Sequence, residues 1–181
     1  MESIERRAVI VTLIRALGQA GSWCGETHVQ KAVYMLQRLT GVPTGYDFVL
    51  YKHGPFSFAL RDELATMRAE HLLELVIRSP DYGPAIMTTS NSTRLEESAK
   101  KALAKFEKEI GFVARTVGKR GVAELERLAT ALLIFQDTPP RATKKDFSRH
   151  LIELKPHVSE EDAAKAITEA RCLMRSAPRA A

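Results

Sequence analysis

The chain has 181 residues, 45% hydrophobic and 27% charged, with a formal net charge of +5. That is the composition of a soluble globular protein: no apolar run approaches the ~20 residues that cross a bilayer, and Arg6, Arg7 and Arg15 interrupt the hydrophobic start, so a cytoplasmic location with no membrane contact is expected. Two cysteines, Cys24 and Cys172, far apart and outside any CxxC pair, argue against a disulfide framework or a structural zinc site, so both are expected to be plain thiols.

Val9, Ile10, Leu13, Ile14 and Leu17 fall on one side of a first helix that Gly18 and Gly21 bring to an end. Thr27 and Gln30 have the spacing of a capping box, and Val29, Val33, Leu36 and Leu39 carry a second helix as far as Gly41 and Pro43. YDFVLYK, residues 46–52, alternates and is rich in aromatic and β-branched residues, which suits a short strand. HGP then turns the chain, and Leu60, Leu64 and Met67 mark a third, amphipathic helix over residues 57–70.

LLELVIR and AIMTT flank the turn formers SPDYGP, predicting a hairpin of residues 72–78 and 85–89 with a projecting tip. Thr93 and Glu96 form another capping-box pattern, opening one long helix whose stripe runs from Leu95 through Leu103, Phe106, Ile110 and Val113 to Val117. After GKRG, Val122, Leu125, Leu128, Leu132 and Phe135 predict an antiparallel return helix that Pro139 and Pro140 stop. Thr143 and Ser159 cap two further helices, and residues 177–181, APRAA, have nothing to bury and are expected to fray.

Helix, helix, strand, helix and hairpin in that order predict a mainly α (α+β) protein. Residues 1–90 form a winged-helix-like domain with a two- or three-stranded β-wing, and residues 91–176 a C-terminal helical bundle sharing or extending its core. The segments VQKAVYMLQRLTG and YDFVLYKHGPFSFALRDELATM also resemble the block shared by YwgA-like bacterial proteins and Panacea, or SocA-type, antitoxin-like domains, through Gln30, Lys31 and Tyr34, then Tyr51, Gly54, Pro55, Ser57 and Leu60. The match covers about a third of the chain. The resemblance implies a winged-helix-like module that works by contacting partner proteins, as antitoxin-like modules do when they neutralise a toxin.

The residues themselves separate two kinds of binding. A winged helix that reads DNA presents basic or amide side chains on its third helix and wing. Here Arg61 and Arg68 share their helix with Asp62, Glu63 and Glu70, and in the wing Arg78 is matched by Asp81. Residues 1–100 hold eleven basic and eleven acidic side chains, residues 101–181 sixteen and eleven, so the surplus lies outside the winged-helix-like half. There it is interspersed with carboxylates, as at Lys105 and Glu109, and reads as solvated helix faces.

A protein partner is therefore the leading expectation, and a dimeric winged-helix transcriptional regulator contacting DNA the alternative. The contact candidates are Lys52, His53, Phe56, Ser57, Arg61, Arg68, Arg78 and Tyr82, with Ser57 suited to phosphate because helix N-termini bind anions. Gly54 and Pro55 read as a structural corner setting the exit angle of helix three. The functional reading of that corner gathers Tyr46, Tyr51, His53 and Phe56 as a partner-facing aromatic cluster. The seam from Leu95 to Val117 suits either the return helix or a second copy in a homodimer.

The five histidines lack metal-ligand spacing, and no nucleophile elbow or phosphate loop is present, so neither an enzyme, a metal nor a cofactor is expected.

Overall fold

The computed structural model describes residues 1–137 and 142–180. Two helices lead, α1 (Ser3–Gln19) and α2 (Glu26–Thr40), and the periodic residues Val9, Ile10, Leu13, Ile14 and Leu17 of α1 are all buried. Gly41, at φ +78°, closes α2 in the left-handed conformation that glycine reaches without a steric penalty. α2 is more than amphipathic: every residue from His28 to Leu36 is buried, so its polar Gln30 and Lys31 lie inside the protein.

The chain then forms β1 (Val49–Tyr51) and β2 (Gly54–Phe56), antiparallel with Tyr51 opposite Gly54. α3 (Phe58–Ala69) follows directly, capped by the Ser57 hydroxyl, which accepts from the Leu60 N–H. β3 (Leu73–Val76) and β4 (Ala85–Thr88) make the expected hairpin. Beyond it come α4 (Ser90–Ser98), α5 (Lys100–Ala104), α6 (Glu107–Val117), α7 (Val122–Asp137), α8 (Lys144–Leu154) and α9 (Glu160–Ser176). The protein is thus mainly helical, with two small antiparallel sheets. Among the described residues no helix is long and apolar enough to cross a membrane.

Several local expectations need correction. The alternation over residues 46–52 yields only a three-residue strand, with Tyr46 buried beneath the Arg6 guanidinium, and HGP is a turn only in part, since Gly54 and Pro55 enter β2. β1 therefore pairs with its own hairpin partner and does not join the β3–β4 hairpin. The helix drawn through residues 93–117 is three helices, broken at Ala99 and at Lys105–Phe106 without any glycine or proline to announce it.

Packing explains those breaks. The Glu96 carboxylate on α4 accepts from Arg15 and Thr12 of α1, while Ile110, Val113 and Val117 of α6 enter the core between α1 and α2. One straight cylinder could not serve both. Two capping boxes also differ: Thr89 with Ser92 caps α4 one turn earlier than Thr93, and α2 starts at Glu26 with Gly25 as its N-cap, while Gln30 bonds the Ser57 backbone. Thr143 and Ser159 cap α8 and α9 as expected, whereas the Pro139–Pro140 stop lies outside the described residues.

One hydrophobic cluster runs through the whole protein, from α1 and α2 through Leu60, Leu64, Leu73 and Ile86 to Leu128 and Leu132 of α7, Leu151 of α8 and Ile167 of α9. The two halves therefore share their core. Residues 177–180 do not fray: Ala177 and Ala180 pack against this cluster, and the Ala180 N–H donates to the Thr40 carbonyl at 2.8 Å.

Candidate functional site

Two of the polar side chains buried on α2, Gln30 and Lys31, point at the β1–β2 hairpin and the start of α3. The Gln30 amide donates to the Ser57 carbonyl and accepts from the Ser57 N–H, both at 3.0 Å, satisfying both backbone groups at the start of α3. Lys31, only 1% exposed, donates from Nζ to the Pro55 carbonyl at 2.8 Å. Gly54, at φ +83°, lies so close to α7 that an added Cβ would stand 2.9 Å from Thr130 Oγ1. The hairpin thus leans on α2 and α7 together.

A charge cluster closes the arrangement from the C-terminal half. The Glu126 carboxylate of α7 lies 2.5 Å from Lys155 Nζ through one oxygen and accepts from His53 Nδ1 at 3.2 Å through the other. Lys155 also donates to the Lys52 carbonyl at the hairpin tip. Burial works against a charged Glu126, but the hydrogen bonds from Lys155 and His53 and their positive charges overcome it and hold the carboxyl below the usual carboxylate range. Lys31 is the less compensated cation. Burial pushes its ammonium from an ordinary 10.5 down to about 8; the Glu126 carboxylate opposes this and Lys155 adds to it.

That shift predicts a pH dependence. Below pH 8 the Lys31 amine is protonated in both the folded and the unfolded chain. Between about 8 and 10.5 the folded protein has released the proton and the unfolded chain still holds it, so the unfolded state binds more protons and stability rises with pH. Relative to Lys31→Met, the protein should gain about 2 kcal/mol between pH 8 and pH 10, measured by urea unfolding. The window ends near pH 10, because the buried Tyr46 phenol, raised to about 12, favours the unfolded state above its ordinary pKa.

Above this scaffold the hairpin displays an apolar surface. The rings of Tyr51, Phe56 and Phe58 contact one another with centroids 5.1–5.6 Å apart, and Tyr51 and Phe58 are 46% and 44% exposed. Val49 and Leu50 extend the patch along β1, and Arg61 stacks over Phe58. Lys52 and His53 project beside it, and a cavity of about 190 Å³ opens between them and the start of α2.

The predicted contact residues divide into two groups. Lys52, His53, Phe56 and Arg61 surround the hairpin. Arg68, Arg78 and Tyr82 lie by the β3–β4 hairpin, where Tyr82 packs on Trp23 and Arg78 reaches over the same indole. Ser57, 1% exposed and held by Gln30, cannot meet a phosphate, and its role is to set the helix start. Gly54 and Pro55 are buried corner residues.

The aromatic cluster also differs in membership: Tyr46 is buried away, and Phe58 joins Tyr51 and Phe56. Glu126 and Lys155 carried no sequence signal, because each sits on a helix remote in sequence whose inward face becomes visible only once α7 and α8 are packed. Trp23 could have been singled out as the sole tryptophan beside a glycine-rich turn. Among the described residues no group of three His, Cys, Asp or Glu side chains could hold a metal ion. No protein-family model and no curated protein matches this chain.

Proposed function

We propose that this is a nonenzymatic cytoplasmic binding protein, an antitoxin-like or regulatory module with a winged-helix-like first half, that acts by protein–protein contact through the Tyr51–Phe56–Phe58 face. The observation that carries this reading is an exposed aromatic group mounted on a hairpin braced from two sides. Aromatic side chains dominate interface energetics, and a preorganised anchor loses little entropy on binding. The resemblance of the Gln30-Lys31 and Gly54-Pro55 segments to YwgA-like and Panacea-type domains supports the same class of activity.

A dimeric DNA-binding regulator is the competing reading. The exposed face of α3 speaks against it, since Ala59, Ala65 and Ala69 offer nothing to phosphate, the Thr66 hydroxyl donates to the Asp62 carbonyl at 3.1 Å and Arg61 is paired with Asp62 at 3.0 Å, which leaves Arg68 as the one arginine of the helix without a carboxylate partner among the described residues.

The test is affinity capture from the native host, with nucleic acid digested in half the sample. Partners surviving digestion are expected, and Tyr51→Ser/Phe58→Ser should weaken the captured partner's binding by about a hundredfold while lowering the melting temperature by only a few degrees, because both rings are already nearly half in water. Partners lost with the nucleic acid, together with a steep salt dependence of duplex binding, would favour the regulator.

A further inference from the structure

The wing forms one wall of a second, separate concavity. An open groove of about 830 Å³ runs between the β3–β4 hairpin and the turn at residues 118–122, crossing the N-terminus of α2. That volume lies within the range of about 300–1,000 Å³ in which proteins seat ligands. Both walls are held in place. On the wing side the Trp23 indole N–H donates to the Gly83 carbonyl at 2.8 Å, and the Ile86 N–H donates to the Cys24 carbonyl at 2.9 Å. Cys24 adopts φ +55°, unusual for a side-chain-bearing residue, and its N–H is satisfied by the Ser22 hydroxyl. On the other side His28, uncharged because burial lowers its pKa, bonds the Arg120 carbonyl through Nε2 at 3.1 Å.

The lining combines apolar and cationic groups. Trp23 and Tyr82, with ring centroids 5.2 Å apart, face Leu75 and Val122, and Tyr82 is 67% exposed. Arg120 is already committed to Glu124 and Glu169, but Arg68 and Lys119 have no carboxylate partner among the described residues. Gly25, the N-cap of α2, offers no side-chain cap, and the first turn of the helix lines the same groove, where the positive end of the helix dipole adds to the cationic side chains; Glu26 is the one acidic side chain in the lining.

We propose that this groove docks a peptide segment in which acidic residues flank an apolar anchor. The anchor would enter between Trp23, Tyr82, Leu75 and Val122, and its neighbouring carboxylates would meet Arg68, Lys119 and the start of α2. Nucleic acid fits less well, because phosphates would have to pass the apolar walls and Glu26. The groove is distinct from the Tyr51–Phe56–Phe58 face, so the two can fail separately.

Trp23, as the only tryptophan, is a built-in reporter. A random-peptide display library panned on the full chain should enrich sequences with Asp or Glu beside Leu, Ile or Phe. A tryptophan-free peptide of the enriched sequence should shift Trp23 emission on titration. Tyr82→Ser and Lys119→Glu, both changes of exposed side chains, should each weaken that binding about tenfold or more, whereas Tyr51→Ser/Phe58→Ser should not. No enriched sequence, enrichment of basic peptides, or binding indifferent to Tyr82 and Lys119 would overturn the proposal. So would a Trp23 response to random duplex DNA that is steep in salt and stronger than the response to the peptide.

Discussion

Replacing Glu126 with alanine should destabilise the protein by about 3–5 kcal/mol, the largest effect expected of any single side chain in the site. The substitution leaves Lys155 and Lys31, 5% and 1% exposed, without the carboxylate that both face. A buried cation stripped of its counter-charge has lost its hydration and keeps only a neutral backbone acceptor, the Lys52 carbonyl for Lys155 and the Pro55 carbonyl for Lys31. Against a total folding free energy of about 5–15 kcal/mol, such a loss is a large fraction of the whole.

The control is Glu126→Leu combined with Lys155→Met. It removes both charges of the pair and should recover a substantial part of the stability lost on removing one, as measured by urea midpoints with an unchanged slope. Equal destabilisation by the single and double variants would mean that packing volume, and not charge, holds the hairpin. The pH dependence has a definite sign: because Glu126 titrates below the usual carboxylate range, its contribution is present above that range and is lost as pH falls through the folded-state value.

Gly54→Ala should cost about 2–5 kcal/mol, from two separable sources. A residue with a Cβ in the left-handed region loses about 1–2 kcal/mol to backbone sterics alone. The new methyl would also stand 2.9 Å from Thr130 Oγ1 and 3.3 Å from the Glu126 carbonyl oxygen on α7, an overpacking cost of about 1–3 kcal/mol. Gly45 isolates the first source, since it has φ +74° with nothing within 4 Å of an added Cβ. Gly45→Ala should therefore cost only about 1–2 kcal/mol. If the two variants unfold at the same urea concentration, close approach to α7 does not constrain Gly54. Because α7 cannot yield without disturbing the core, Gly54→Ala should also tilt the hairpin and weaken partner capture through Tyr51 and Phe58.

Both effects arise where the two halves of the chain meet. Gln30, Lys31 and Gly54 come from the first half, and Glu126, Thr130 and Lys155 from the second, with the hairpin between them. This is why Gln30 and Lys31 interrupt the apolar pattern of α2. They are internal struts that satisfy the backbone of residues 55–57, polar in a helix buried from His28 to Leu36 because the strand β2 and the start of α3 must be hydrogen-bonded there.

Periodicity alone located α1, α2, α3, the β3–β4 hairpin, α7 and α9, and the caps at Thr143 and Ser159, because hydrophobic spacing and local hydrogen bonding act within a few residues. Composition likewise fixes the first half as electrically neutral, with eleven basic and eleven acidic side chains in residues 1–100. The three-way break of residues 90–117, the second strand at Gly54–Phe56, the docked C-terminal segment and the Glu126–Lys155 pair were decided only by tertiary packing. In each case a local preference yielded to a distant group: an α1 side chain, an α7 backbone or a core surface that no short window of sequence contains.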